Sequence, residues 1–206
     1  MKSDRTAGRR VRGTRERILG AFLRLAVERG IDSTPTRLVA EAAGVSELTL
    51  FRHFGDKASL VREAIRHSAP TERLRAYDPA IDASTPESAT AGLGRCLRHL
   101  RDEAVRRQDL LHLALSEARR HPELKDELIV GPRQAVEVLQ RALQQAAPQL
   151  RPEVDPRAAV TSLQGLLLVT VLWNLLGWMR LERQEWDELL EASVRVLVRS
   201  PGDQDP

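Results

Sequence analysis

The sequence predicts an all-α protein of about nine helices. Ala, Leu, Arg, Glu and Gln, which are strong helix formers, dominate its 206 residues. Aromatic residues, which strands favour, make up only 3% of the chain. No useful length of sequence alternates apolar and polar residues with the period of two that a half-buried strand requires. With 42% apolar and 30% charged residues, the chain can bury a core and lacks the composition of a disordered protein.

The N-terminal third consists of a basic arm followed by four predicted helices. Residues 1–13 are basic and lack apolar periodicity, which is typical of a disordered arm. Gly30 and Gly44 are typical helix terminators, and Thr34, Ser46 and Asp56 are typical N-caps. These signals predict helices over residues 14–29, 35–43, 47–53 and 57–67.

The remaining two thirds of the chain are predicted to form a larger helical region. Residues 68–85 carry Pro70 and Pro79 and predict a connection. Thr85 and Pro86 then start a helix, and the apolar stripe that follows includes Leu93 and Leu97. Further helices are predicted over residues 109–119, 123–147 with a break near 131–132, 156–180 and 186–199. We therefore expect one domain at 14–67, a second at 68–200 and a tail at 201–206.

The charge of the chain is divided unequally. Residues 1–67 hold 14 Lys and Arg against 8 Asp and Glu, whereas residues 68–206 hold 18 against 21. A positive excess on one part predicts an anionic partner, usually nucleic acid or a membrane surface. The arm at 1–13 is either a solvated tail or an arginine-bearing arm that reaches a minor groove.

The cellular location follows from the cysteine content and the first residues. A single cysteine, Cys96, excludes an intramolecular disulfide and is read as a small core hydrophobe. The chain begins with basic and polar residues and has no apolar segment of the kind that signal peptides contain. We expect a cytoplasmic protein.

Residues 34–54 have the pattern of a helix-turn-helix. A short helix is followed by a tight turn at Gly44 and by a second short helix that Ser46 caps. In such a motif the second helix lies in the major groove of DNA. Val39 and Leu50 are expected to face inward, which leaves the polar residues of the second helix outward.

Residues 15–65 resemble the N-terminal domain of TetR-type transcriptional regulators. The residues that carry the resemblance are Ile18, Leu19, Gly30, Thr34, Val39, Ala40, Ala43, Gly44, Val45, Ser46, Thr49, Leu50, His53, Phe54, Lys57 and Leu60. The resemblance covers about a quarter of the chain. It implies a homodimeric regulator, a ligand-responsive repressor that binds double-stranded DNA at a palindromic operator and is released by a small hydrophobic effector.

The resemblance also implies which residues bind DNA. The expected set is Thr34, Thr36, Arg37, Ser46, Glu47, Leu48, Thr49, Phe51, Arg52, His53 and Lys57. His53 and Lys57 would hold phosphates, and Phe51 stands where the family usually has a Tyr that bonds a phosphate. Glu47 either accepts a hydrogen bond from a cytosine amine or is a solvated bystander, and the sequence leaves both open.

The stretch 163–179 is the most apolar part of the chain. We expect no membrane span there, because the stretch is short, contains Gln164 and Asn174, and ends at Arg180. A helix that is apolar on nearly every side must be buried on nearly every side. The last helix has an apolar stripe as well, and the resemblance implies dimerisation through these two helices. The expected interface residues are Leu189, Leu190, Val194 and Leu197.

Isolated polar or aromatic residues on the apolar helix faces are candidates for a small-molecule site. They are His112, Glu117, Gln164, Thr170, Trp173, Asn174 and Trp178. Each has a structural alternative, because such residues more often satisfy a core or an interface. The sequence contains no metal-ligand spacing, Gly-rich phosphate loop or nucleophile elbow, so we expect no metal, no cofactor and no enzymatic activity.

Two further functions fit parts of the sequence. An architectural DNA-binding protein would need no ligand, but it would also need no large apolar second domain. A small-molecule-binding module that has lost DNA binding would not need the intact set of residues from Ser46 to Lys57.

Overall fold

The computed structural model describes residues 3–69 and 71–200, with side chains described over 13–69 and 72–200. Within these ranges the protein is all-α, as predicted, and nine of its helices have eight or more residues. The helices are α1 (Ser3–Arg29), α2 (Thr36–Ala43), α3 (Glu47–Phe54), α4 (Lys57–Ser68), α5 (Thr71–Ala76), α6 (Pro86–Arg106), α7 (Gln108–Glu117), α8 (Lys125–Leu128), α9 (Val130–Ala146), α10 (Pro156–Leu175) and α11 (Arg183–Arg195). Short 3₁₀ helices lie at Pro122–Leu124 and Ala147–Gln149.

Helix α1 begins earlier than predicted. It starts at Ser3, so the prediction of a disordered arm is wrong from residue 3 onward. Apolar periodicity begins only near Ile18 and therefore gave no signal for the preceding turns. Extending an existing helix costs much less than nucleating one, and Arg and Ala in this segment favour the extension. The side chains of residues 1–12 lie outside the described part, so a contact between the arm and DNA stays a prediction.

The chain forms two compact units. The first comprises Met1–Ala69 and Asp109–Val130, and the second comprises Pro70–Gln108 and Gly131–Pro206. The predicted boundary near residue 67 therefore misses the return of 109–130 to the first unit. Leu113 and Leu128 of this segment are buried in the same core as α1 to α4. Apolar periodicity within a helix shows that a face is buried but not which part of the chain buries it.

The first unit is built around α1. Ile18 and Phe22 are fully buried, and the core that they form includes Leu50 of α3 and Leu60 of α4. Arg15 extends this packing, because its guanidinium lies 5.2 Å from the centre of the Phe54 ring and pairs with Glu63. The three short helices α2 to α4 are thus held by one long helix.

Polar contacts join the 109–130 segment to the rest of the first unit. Arg66 of α4 pairs with Glu127 at 2.9 Å. His121 Nε2 lies 3.4 Å from Asp32 Oδ1 and 3.5 Å from Glu117 Oε2. Glu117 is buried beside Gly30. A Cβ atom added at position 30 would lie 3.2 Å from Glu117 Oε1, and the backbone φ angle of Gly30 is +84°. Both the close approach and the left-handed backbone favour glycine at this position.

The second unit packs α6 against α10 and α11. Its core includes Leu97 of α6, Leu143 of α9 and Leu190 of α11. Arg101 is buried, and it pairs with Asp102 at 2.8 Å and with Asp187 of α11 at 2.5 Å. A buried cation needs such partners, because an unpaired one would carry its full desolvation cost.

Cys96 belongs to the same core. It is fully buried among the apolar residues of the second unit. Burial raises the pKa of its thiol to about 12, so the thiol stays protonated and unreactive at neutral pH. The prediction of a small core hydrophobe is confirmed.

Two of the predicted interface residues, both on α11, are buried inside their own unit. Leu190 and Val194 are 0% exposed and lie in the core of their own unit, so they are not available to a partner. Leu189 and Leu197 are partly buried, and Leu197 also packs against this core. Helix α11 does have the predicted apolar stripe, but α6 of the same chain covers that stripe, because α6 and α11 pack together.

Helix α10 carries the exposed apolar surface instead. Ala159, Leu163 and Leu167 are buried in the core, whereas Leu168 and Val169 are exposed by 41% and 39%. The helix is also long and apolar enough, by length and composition alone, to cross a membrane. Its burial on one side shows that it contributes to the core of the second unit.

We expect substitutions at neighbouring leucines of α11 to separate core from surface. Leu190→Ala should lower the free energy of unfolding by about 2–5 kcal/mol, because it removes a fully buried side chain and leaves a cavity. Leu189→Ala is the matched control, and its loss should be smaller because Leu189 is partly exposed. Urea denaturation followed by circular dichroism measures both. Equal losses at the two positions would contradict the assignment of Leu190 to the core.

Candidate nucleic-acid interface

A left-handed turn sets the angle between α2 and α3. Gly44 adopts φ +67° and ψ +40°, which residues with a Cβ rarely adopt. The N–H of Gly44 donates to the Glu41 carbonyl, and the N–H of Val45 donates to the Ala40 carbonyl, both at 3.0 Å. These bonds satisfy carbonyls at the end of α2 and direct the chain into α3.

The start of α3 is fixed by its own polar side chains. Ser46 Oγ accepts from the Thr49 N–H at 3.2 Å and lies 2.9 Å from Thr49 Oγ1. The predicted N-cap is therefore confirmed. Glu47 Oε1 accepts from Thr36 Oγ1 at 2.5 Å, which joins the first turns of α2 and α3. Sequence reasoning missed this bond, because nothing in the spacing of residues 36 and 47 indicates it.

Beyond this joint, α3 presents an exposed face. Leu48 is 72% exposed and Phe51 is 40% exposed, although both are large apolar side chains. Arg52 is exposed beside them, and Arg37 is exposed on α2. Leu50 and Phe54, on the opposite side of α3, are buried in the core of the first unit. The helix thus has one side for packing and one side for a partner.

The start of α4 lies next to this face. Asp56 caps the helix and accepts from the Ser59 N–H at 2.7 Å, and this bond lowers the pKa of the Asp56 carboxyl. Lys57 Nζ donates to the Asp32 carbonyl at 3.3 Å, so it braces the loop between α1 and α2. The Lys57 side chain is only partly buried, as is that of His53.

The prediction that Thr34 binds DNA is wrong. Thr34 is 0% exposed, and its hydroxyl donates to the Gly30 carbonyl at 2.8 Å. It does not cap α2 either, because the N-cap residue is Pro35 and no side chain caps the helix. A Thr–Pro pair is a typical helix start, but here the hydroxyl finds a partner in the preceding turn.

The residues expected to bind an effector are not all in one unit. His112 and Glu117 lie on α7 in the first unit, whereas the other five residues of that set lie in the second. Thr170 is buried, and its hydroxyl donates to the Leu166 carbonyl at 2.6 Å within the same helix. Trp173 and Trp178 are exposed by 37% and 76%, and Asn174 is partly buried. Thr170 is therefore not a free anchor, and the two tryptophans face away from the core.

Two glutamines of the second unit have buried polar atoms without a partner. Gln134 of α9 is 4% exposed, and neither its Oε1 nor its Nε2 has a hydrogen-bond partner. Gln164 Nε2 donates to the Pro132 carbonyl at 3.2 Å, while Gln164 Oε1 is buried and unpaired. Gln164 was among the residues predicted from the sequence, whereas Gln134 was not. The spacing of the sequence could have indicated that Gln134 is buried, because Gln134 lies on the same face of α9 as the buried Val138 and Ala142.

The sequence of this chain is similar to those of bacterial regulatory proteins. Residues 18–64 match the family model described as bacterial regulatory proteins, tetR family. The Bacillus subtilis (strain 168) protein described as "Uncharacterized HTH-type transcriptional regulator YvkB" is 32% identical over 111 residues, which are 52% of this chain. That match spans about half of the relative, 53% of its length.

Solved structures share the fold over nearly the whole chain. NalD, the secondary repressor of the MexAB-OprM multidrug efflux pump in Pseudomonas aeruginosa, superposes with a TM-score of 0.66 at 24% identity. The superposition covers 92% of this chain and 98% of NalD. The Bacillus subtilis transcriptional regulator FadR, in complex with stearoyl-CoA, gives a TM-score of 0.65 at 18% identity and covers 89% and 97% of the two chains.

Proposed function

The chain belongs to the TetR family of bacterial transcriptional regulators, and from this premise we propose that it is a homodimeric repressor released from its operator by a small molecule. TetR-family regulators bind DNA and are not enzymes. We assign DNA contact to the exposed face of α3, because the second helix of a helix-turn-helix lies in the major groove. The release of DNA, the palindromic form of the operator and the cytoplasmic location are parts of the proposal.

The observation that carries the proposal is the division of α3 into a buried and an exposed side. An eight-residue helix would not be stable alone, and Leu50 and Phe54 anchor it in the core. The anchored helix can then present Leu48, Phe51 and Arg52 to the edges of bases. Arg37, His53 and Lys57 supply cationic or polar groups for the flanking phosphates.

DNA selected from a random library by the purified protein should contain a palindrome. Arg37→Ala should weaken binding to all sequences about equally and lower the slope of log affinity against log salt by roughly one, because one phosphate contact is lost. Arg52→Ala should instead change the preferred base at one position of each half-site. Fluorescence anisotropy with labelled operator measures both effects.

Arg133→Ala is the control for this experiment, because Arg133 is an exposed arginine of the second unit. It should leave the affinity and the salt slope unchanged. A library selection without enrichment, or an equal effect of Arg37→Ala and Arg133→Ala on the slope, would contradict the proposed surface.

The exposed side of α10 supports a homodimer. Leu168, Val169 and Trp173 of α10 are exposed by 37–41%, and Leu176, the C-cap residue, is exposed by 47%. Val169, Trp173 and Leu176 follow the i, i+4, i+7 spacing of one helix face. Such a continuous apolar strip on a soluble protein is typical of an interface. Pairing of this strip with its copy about a twofold axis would give an isologous dimer. A dimer could place two recognition helices in successive major grooves, about 34 Å apart.

Val169→Glu should convert the dimer to a monomer, since it places a carboxylate in the middle of the strip. Size-exclusion chromatography with light scattering measures the mass. Affinity for the full operator should fall steeply in the same variant, because two linked half-site contacts become one. Leu115→Glu, at another exposed leucine (52% exposed) on the first unit, should stay dimeric. A wild-type protein that is monomeric at micromolar concentration would overturn this part of the proposal.

The two unpaired glutamines support an effector site in the second unit. A buried amide without a partner costs free energy, so Gln134 and Gln164 favour the entry of a molecule that offers both a donor and an acceptor. The amide groups are neutral, and the core beside them is apolar, so a neutral and mostly hydrophobic molecule fits best. Such an effector would favour a dimer whose two recognition helices no longer match the operator.

Gln134→Leu should raise the melting temperature of the effector-free protein. Removing an unpaired buried amide is worth about 1–3 kcal/mol, and each kcal/mol corresponds to about 2–4 °C in a chain of this size. In a thermal-shift screen of neutral hydrophobic compounds, those that stabilise the wild type should stabilise this variant much less. Gln140→Leu, at an exposed glutamine of the same helix, is the control. A lower melting temperature for Gln134→Leu, or an unchanged response to the compounds, would contradict the site.

A further inference from the structure

The polar side chains at the start of α3 are already bonded within the protein. The Thr36 hydroxyl occupies Glu47 Oε1 at 2.5 Å, and the Ser46 and Thr49 hydroxyls lie 2.9 Å from each other. A base edge that paired with Glu47 Oε1 would compete with this bond between α2 and α3. The structure therefore favours Glu47 as a residue that positions α3 over Glu47 as a reader of cytosine.

The most exposed side chain of this turn is apolar. Among the described side chains of the first unit, Leu48 is the most exposed large apolar one at 72%, and it lies outside the core cluster. Phe51 follows three residues later on the same side of the helix and is 40% exposed. Together they form an apolar strip on the face that the proposed function assigns to DNA.

The charge beside the strip indicates what covers it. Arg52 follows Leu48 by four residues and is exposed, so any partner that covers Leu48 must also accommodate a guanidinium. A second copy of this face would bring two such cations together. The major groove of DNA offers the required combination, because the thymine C5-methyl is its apolar group, and guanine O6 and N7 accept from arginine.

We propose that Leu48 reads a thymine methyl in each half-site of the operator, with Phe51 packing beside it and Glu47 acting through Thr36 as a positioning residue. This inference rests on the proposed DNA binding and adds the identity of a recognised base. It predicts that each half-site of the operator contains at least one thymine whose C5-methyl group contributes to affinity, independently of the base pairing of that thymine.

Deoxyuridine tests the methyl contact directly, because it pairs as thymine does and lacks only the C5-methyl group. Each thymine of the selected operator is replaced in turn, and binding is measured by fluorescence anisotropy. Wild-type protein should lose about fourfold in affinity at one position of each half-site, the ratio expected for one buried methyl group. Leu48→Ala should bind the thymine and deoxyuridine operators equally, whereas Leu115→Ala, at an exposed leucine away from α3, should keep the wild-type sensitivity.

Three results would overturn the assignment. One is a wild-type protein that is insensitive to deoxyuridine at every position. The second is a Leu48→Ala variant as sensitive as the wild type, and the third is sensitivity that disappears only in Phe51→Ala. Because Leu48 is 72% exposed, Leu48→Ala should fold normally, which circular dichroism checks. Failure of DNA binding itself is distinguishable, since the wild type would then enrich no operator at all.

A second set of variants tests the role of Glu47. Thr36→Val should weaken binding to all operators without changing the preferred bases, and Thr36→Ser should restore affinity because it keeps the hydroxyl. Glu47→Gln should likewise leave base preference unchanged. A changed preference at a C·G pair in Glu47→Gln would show that Glu47 reads a base and would overturn its positioning role.

Discussion

The burial of Leu50 and Phe54 in the core of the first unit is the constraint on which the proposed DNA-binding surface depends. Helix α3 has only eight residues, and helices of that length are not stable in water by themselves. Because two of its side chains are fixed in the core, its other side is held in a defined orientation. The left-handed turn at Gly44, the Ser46 cap and the Thr36–Glu47 bond then restrict how α3 can rotate or slide.

The first unit is completed by a segment that is distant in sequence. Residues 109–130 bring leucines into the core around α1, and Glu117 and His121 of this segment approach the turn at Gly30 and Asp32. The chain therefore crosses between the two units three times, at residues 69–70, 108–109 and 130–131. The segment thus belongs to the first unit, while both of its ends continue into the second.

The two C-terminal helices show how similar patterns can have opposite uses. Helix α11 has a clean apolar stripe on one face, and Leu190 and Val194 of that stripe are covered by the core of the same unit. Helix α10 is apolar nearly all round, so only one of its sides can meet that core, and Leu168 and Trp173 remain exposed. The surface available to a partner is therefore the exposed side of α10, and not the apolar stripe of α11. Substitutions designed from the stripe alone would have tested folding and not dimerisation.

The sequence by itself determined the helical class, most helix ends and the helix-turn-helix, because these depend on local signals. The caps at Ser46 and Asp56, the turn at Gly44 and the inward Leu50 all involve residues within a few positions of one another. Contacts between distant residues were decided only by the tertiary structure. These include the bond from Thr36 to Glu47, the return of residues 109–130 and the unpaired amide of Gln134. Periodicity reports that a side chain is buried, whereas the partner that buries or satisfies it depends on how the elements pack.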